Sequence, residues 1–185
     1  YLMEFDTVTE ENVKVLLSTT GTRLNLKDLE RVLNVDIVND PESNGDIILL
    51  SGDSNPPRVG NIERMKSWSV DGFTQEEIML IKPPPVYPPI LNQILSTQNA
   101  ESNFLENKFL SFGYQYRYKD GYYSCVSSWT KYVFTPQDFN IDFETFENLG
   151  MLNAFNAVEL SFNTGQREVD AIRLVFSLSN IEDIY

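Results

Sequence analysis

The chain has 185 residues, 42% of them apolar and 12% aromatic, which suits one large or two small cores and argues against disorder. Fourteen Lys and Arg stand against 27 Asp and Glu, a net charge of −13, so the surface repels nucleic-acid phosphates and a sequence-reading DNA binder is disfavoured. With no histidine, the usual general base, the Ser-His-Asp and Cys-His nucleophile arrangements and most zinc sites are lost; the expectation is a non-enzyme without metal or cofactor.

The first half alternates short apolar stretches with turn clusters. Leu2 to Phe5, Val13 to Leu17, Val35 to Val38 and Ile47 to Leu50 read as strands, separated by Asp40-Pro41 and Asn44-Gly45-Asp46. Leu26, Leu29 and Leu33 have helical spacing, but the segment is too short to separate a helix from a strand. Between Ser51 and Arg64, Asp53, Asn55, Pro56, Pro57 and Arg58 combine turn chemistry with two residues of locked φ, predicting a stiff surface loop that leads into a strand. Thr74 and Glu77 have capping-box spacing, which predicts a short helix near 75–81 that stops at Pro83. The proline run Pro83 to Pro85, Pro88 and Pro89 then separates a β-rich region, 1–82, from a second domain, 83–185. No apolar run approaches the roughly 20 residues of a membrane helix.

The second half has clearer alternation. Leu110, Phe112, Tyr114, Tyr116 and Tyr118 share one face of a strand, and Ser111, Gln115 and Arg117 the other. Asp120-Gly121 supplies a reversing turn, after which Tyr122 to Phe134 is expected to return as the second strand of a long hairpin. A further pair is expected near the end: Val158, Leu160 and Phe162 lead to a turn at Asn163 to Gln166, and Ile172, Leu174, Phe176 and Leu178 lead away from it. Antiparallel strands without intervening helices predict an all-β chain whose second domain is a sandwich of immunoglobulin or fibronectin type III character.

Few constellations carry chemistry. A two-carboxylate glycosidase mechanism survives the loss of histidine, yet no pair among the acidic residues stands out. Asp138, Asn140, Asp142 and Glu144 begin like a calcium loop, but Phe143 occupies the position that needs Gly and Leu149 the position that needs Glu. As a strand, this segment would turn Phe139, Ile141 and Phe143 to the core and its carboxylates to water. Tyr114, Tyr116, Tyr118, Tyr122, Tyr123, Trp129, Tyr132 and Phe134 cluster as a glycan-binding platform would require on an exposed face, although strand alternation buries about half of them as ordinary core. Arg117 and Lys119 read as a solvated edge, and Cys125 as an unactivated thiol.

Four stretches in succession carry a resemblance: SGDSNPPRVGNIERMKSW with DGFTQEEIMLIKPPP, ENKFLSFGYQYRYKDGYYSCVSSWT, ENLGMLNAFNAVELSF, and VDAIRLVFSLSN. From about Ile47 onward the chain resembles the tail nozzle proteins of short-tailed, crAss-like bacteriophages, also called muzzle or packaged-DNA stabilisation proteins. The resemblance implies that the first half belongs to a β-propeller-like nozzle domain and the second to an adjoining sandwich. It further implies a structural virion protein in the phage tail, assembled with itself as a ring beside other tail and adaptor-ring proteins. DNA passes such a ring without sequence-specific binding. Asn55, Pro56, Pro57 and Arg58 would then be an assembly contact; the local alternative is that Arg58 closes its own turn. Family proteins are much longer, so the chain is read as a piece of one. The reading from another class is a bacterial cell-surface or secreted fibronectin-like module that binds glycan or protein.

Overall fold

The structure, a computed structural model, describes residues 2–16, 18, 32–39, 45–52, 55–95 and 103–178. Among these residues it is all-β apart from one short helix and one 3-10 turn. The chain divides into two compact units, 1–83 with 120–122 and 84–119 with 123–185.

In the first unit, β1 (Leu2–Asp6) and β2 (Glu11–Leu16) form an antiparallel hairpin. The Asp6 carboxylate accepts from the Val8 and Thr9 amides, and Glu10 closes the turn at φ 58°. A three-stranded antiparallel sheet has the order β3 (Val32–Val38), β4 (Ile47–Gly52), β5 (Arg58–Asn61). Leu26 and Leu29 lie outside the described residues, as does the Asp40-Pro41 turn.

Directly after β5 comes α1 (Ile62–Ser67), a helix that the apolar pattern does not announce. Its signal is local. Asn61 caps it by accepting from the Arg64 amide at 2.9 Å, and Ile62 and Met65 are buried one turn apart. Asn61 also donates to the Gly45 carbonyl at 3.0 Å, so one buried amide joins the β3–β4 turn to the helix start. Val15, Leu16, Ile48, Ile62, Met65, Trp68, Phe73 and Ile78 form the core of this unit.

The helix expected near 75–81 is reduced to a 3-10 turn over Glu76–Ile78. Half of the capping box is present, with the Thr74 amide donating to the Glu77 carboxylate at 2.6 Å. The helix cannot propagate, because Met79 bridges to Arg58 and the Leu80 amide donates to the Pro57 carbonyl at 2.9 Å. Pairing with the β5 edge takes the backbone groups that further helical turns would need.

In the second unit, β6 (Ile90–Ile94) pairs with β8 (Ala157–Ser161), and β7 (Leu110–Tyr118) with β9 (Val169–Leu178), both antiparallel. Consecutive β8 and β9 therefore belong to different sheets and do not form the expected terminal hairpin. The two sheets share a core: Leu110 and Phe112 of β7 cluster with Leu91, Val158, Leu160, Phe176 and Leu178. Tyr114, Tyr116 and Tyr118 form a second cluster with Phe162, Val169 and Ile172, a ladder of edge-to-face rings further along β7. Burial in this ladder pushes the Tyr116 phenol up to about 12.

Residues 122–134 are not the expected return strand. Ser124, Ser127, Thr130 and Val133 donate their amides to the carbonyls of Tyr116, Tyr114, Phe112 and Leu110, so three residues of this segment match two of β7. With strands rising about 3.3 Å per residue, the segment advances only about 2.2 Å per residue, too compressed for a regular ladder. Its carbonyls consequently miss the β7 amides, and hydroxyls replace them. The Phe112, Tyr114 and Tyr116 amides donate to Thr130 Oγ1 (2.9 Å), Ser127 Oγ (3.1 Å) and Ser124 Oγ (3.0 Å). The spacing S-x-x-S-x-x-T carries this geometry in the sequence.

Removing one such acceptor strands a buried amide. Ser127→Ala is expected to destabilise the chain by about 1–3 kcal/mol in urea unfolding, against little change for exposed Ser128→Ala. Equal midpoints for the two variants would refute the substitution of hydroxyl for carbonyl.

Candidate functional site

The proline loop is the first candidate. Asn55 is half-buried and Pro56 and Pro57 are exposed, whereas Asp53 lies outside the described residues. Arg58 is only 4% exposed, pairs with Leu50 in the sheet and bridges Met79. It is a residue of the unit's interior, not a cation on the loop surface. The remaining space beside it is about 10 Å³, room for one water at most, so no ligand enters there. The sequence places all four residues in one loop; the structure leaves Pro56 and Pro57 as its outward part, held from behind by Leu80.

A second candidate arises from the three-residue repeat. Positions 123, 126, 129 and 132 share one phase, and Tyr123, Val126, Trp129 and Tyr132 are all exposed. Trp129 and Val126 lie over Gly113, where any Cβ would sit 2.9 Å from Val126 Cγ1, so the absence of a side chain there seats the ridge. Arg173 stacks 3.8 Å above the Tyr123 ring. Arg117 and Lys119 are paired with acids, Arg117 through two 3.0 Å bonds to Asp170 and Lys119 at 3.6 Å from Glu168. The guanidinium holds the Asp170 carboxyl below the usual carboxylate range. Cys125 is exposed, and the chain has no histidine to activate it.

The third candidate is the acidic segment, and here the strand expectation fails. Residues 136–153 form an irregular hairpin, bridged at Pro136–Asn153 and Ile141–Asn148, with its tip at 142–147. Phe139 and Phe143 project into solvent instead of entering a core. The carboxylate of Asp142 is engaged locally, accepting from the Glu144 amide at 2.9 Å and the Thr145 hydroxyl at 3.0 Å. Those bonds, led by the Glu144 amide, hold it below its ordinary range. The Asp142 carbonyl accepts from Phe146, which has φ +60°. An open groove of about 530 Å³ runs along the stem past Gln137, Asp138 and Leu149. At Gly150 a Cβ would lie 2.1 Å from the Asp138 carbonyl, so only glycine allows the stem strands to approach this closely.

The base of this hairpin depends on Asn153, which is 1% exposed. Its amide nitrogen donates to the Leu105 and Lys108 carbonyls at 2.6 and 2.8 Å, and its oxygen accepts from the Thr135 amide at 3.3 Å. No group of three or more His, Cys, Asp or Glu able to hold a metal ion occurs among the described residues. No helix among them is long and apolar enough to cross a membrane.

No family model, curated protein or solved structure matches this chain.

A depressed folded pKa means that the contribution of Asp142 is complete at neutral pH and is lost as pH falls through that pKa, below 3.8. The Phe146 amide resonance should therefore shift in acid. Asp142→Asn keeps an acceptor for the Glu144 amide, so the acid step should disappear while the neutral-pH position is retained. Persistence of the step in Asp142→Asn would exclude this carboxylate as its origin.

Proposed function

We propose that this chain is part of a structural virion protein, a subunit of a phage tail nozzle (muzzle) ring that retains packaged DNA and forms its exit channel. The succession of the N-P-P-R loop, the K-P-P linker and the tyrosine-rich strand carries the reading. Its finer fold is then a propeller-like segment followed by a fibronectin type III-like sandwich. The antiparallel β3–β4–β5 sheet and the two sheets sharing one core are compatible with that assignment.

Three physical features support the reading. Pro56 and Pro57 are exposed and stiff, and they lead into a strand buried at all four positions, so a contact made there costs little ordering. The net charge of −13 suits a wall past which DNA slides, since carboxylates repel phosphates within a Debye length of about 8 Å in physiological salt. The third feature is the use of ordered side chains for architecture: the Arg58, Asn61 and Asn153 side chains all lie inside their units. On this reading the protein acts in the phage tail, with copies of itself and neighbouring tail and adaptor-ring proteins as partners.

One observation favours a second reading. The exposed ridge of Tyr123, Val126, Trp129 and Tyr132 suits a cell-surface or secreted fibronectin-like module that stacks its aromatics on glycan or protein.

Imaging of the full-length parent protein tests the first reading, with a closed ring and a DNA-wide opening as the expected result. In that parent, Pro56→Glu with Pro57→Glu should lower the unfolding free energy by no more than about 2 kcal/mol, the unfolded-state contribution of two prolines at exposed sites, yet prevent ring closure. A solitary parent overturns the ring; rings that tolerate both substitutions overturn only the contact role. Saccharide binding on a glycan array, abolished by Trp129→Ala, would establish the second reading instead.

A further inference from the structure

Within residues 139–146, Phe139, Phe143 and Phe146 are 75%, 79% and 78% exposed. An exposed phenyl ring gains nothing from burial in its own fold, and three within one short hairpin supply apolar surface of the kind that marks an interaction site. Phe146 adds a second mark. Its φ of +60° lies in the left-handed region, where Gly or Asn fits without strain and a bulky ring does not, so the turn itself does not select phenylalanine.

The backbone that carries the rings is held in place. Across the stem, the Gln137 amide donates to the Gly150 carbonyl at 3.0 Å and the Leu149 amide to the Asn140 carbonyl at 2.6 Å. At the tip, the Asp142 carboxylate and carbonyl bind the Glu144 and Phe146 amides. A hairpin ordered in advance loses little conformational entropy on docking.

Charge selects the occupant. From Tyr132 to Gln166 the sequence contains Asp138, Asp142, Glu144, Glu147 and Glu159 and not one Lys or Arg. The same hairpin on a second copy carries the same carboxylates and is repelled by this one, and so is an anionic bilayer. We propose that the 136–153 hairpin is a docking element whose phenylalanines enter an apolar pocket, rimmed by Lys and Arg, on a different protein. Apolar contact supplies the hold, and the complementary rim supplies selectivity and steering.

The chemistry can be tested on the whole 185-residue chain with two defined hosts, neutral β-cyclodextrin and β-cyclodextrin carrying a primary-amine rim, by calorimetry and amide chemical shifts. The amine-rimmed host should bind about tenfold more tightly, with shifts confined to the hairpin. That preference should vanish at about 1 M NaCl, where the Debye length is about 3 Å. Phe139→Ser with Phe143→Ser and Phe146→Ser should abolish the hairpin shifts with both hosts without moving the urea midpoint, since none of the three rings is buried. Asp138→Asn with Glu144→Gln and Glu147→Gln should leave the hosts equal, while Asp142 still holds the turn. Equal affinities for the unaltered chain would overturn the proposal, as would amine-host binding that survives loss of the rings or a preference that survives neutralisation. Tighter association with phosphatidylcholine vesicles than with either host would point to a lipid surface and overturn it too.

Discussion

The second unit depends on how the edge of β7 is satisfied. On one side β9 supplies a ladder regular from Leu110 to Arg117; on the other, a compressed segment presents one residue in three. Had Ser124, Ser127 and Thr130 been apolar, their amides would still reach β7 carbonyls, but the amides of Phe112, Tyr114 and Tyr116 would be buried without acceptors. Each such orphan costs on the order of 1–3 kcal/mol, a large share of the stability of an ordinary domain. The hydroxyls remove that cost, and the tyrosine ladder can then occupy the opposite face. The same compression moves Tyr123, Val126, Trp129 and Tyr132 into one outward row. Core and surface on this side of the molecule thus follow from one backbone mismatch.

Buried asparagines perform a related task where regular pairing ends. Asn61 ties the Gly45 turn to the start of α1, and Asn153 ties the hairpin base to the 105–108 turn. An asparagine side chain offers two donors and an acceptor in a fixed plane, so it can serve backbone groups pointing in different directions. Both residues sit next to features exposed for possible contact, Asn61 at the end of the strand that follows Pro56 and Pro57, Asn153 at the foot of the phenylalanine hairpin. Irregular segments can then be held without being packed, which leaves their outer side chains available to partners.

The described residues devote their polar groups largely to architecture. Arg117 and Lys119 are occupied by Asp170 and Glu168, Asp142 by its own turn, and Arg58 lies in the sheet interior. Outward remain ring surface, many carboxylates and a few cations, Lys108, Lys131, Arg167 and Arg173. Fit and exclusion are the common element of the ring proposal and the docking proposal.

The sequence by itself determined the all-β class, the apolar face of β7 and the strands at Leu2, Val13, Val35 and Ile47, because alternation of side chains is a property of one strand and is visible without its partner. It did not determine pairing. Val158 to Phe162 and Ile172 to Leu178 look like two arms of a hairpin, yet one pairs with β6 and the other with β7, since which edge a strand joins depends on where the shared core lies. The return segment alternates by three instead of two, so strand periodicity misread it, although S-x-x-S-x-x-T was in plain view. Arg58 and the DFNIDFE phenylalanines exchanged their expected places, the cation inward and the rings outward. Tertiary structure alone decides such cases. A residue's burial is set by what other segments bring to its surface, and backbone hydrogen bonds captured by Met79 and Leu80 or by the Asp142 turn outweigh the preference of any one side chain.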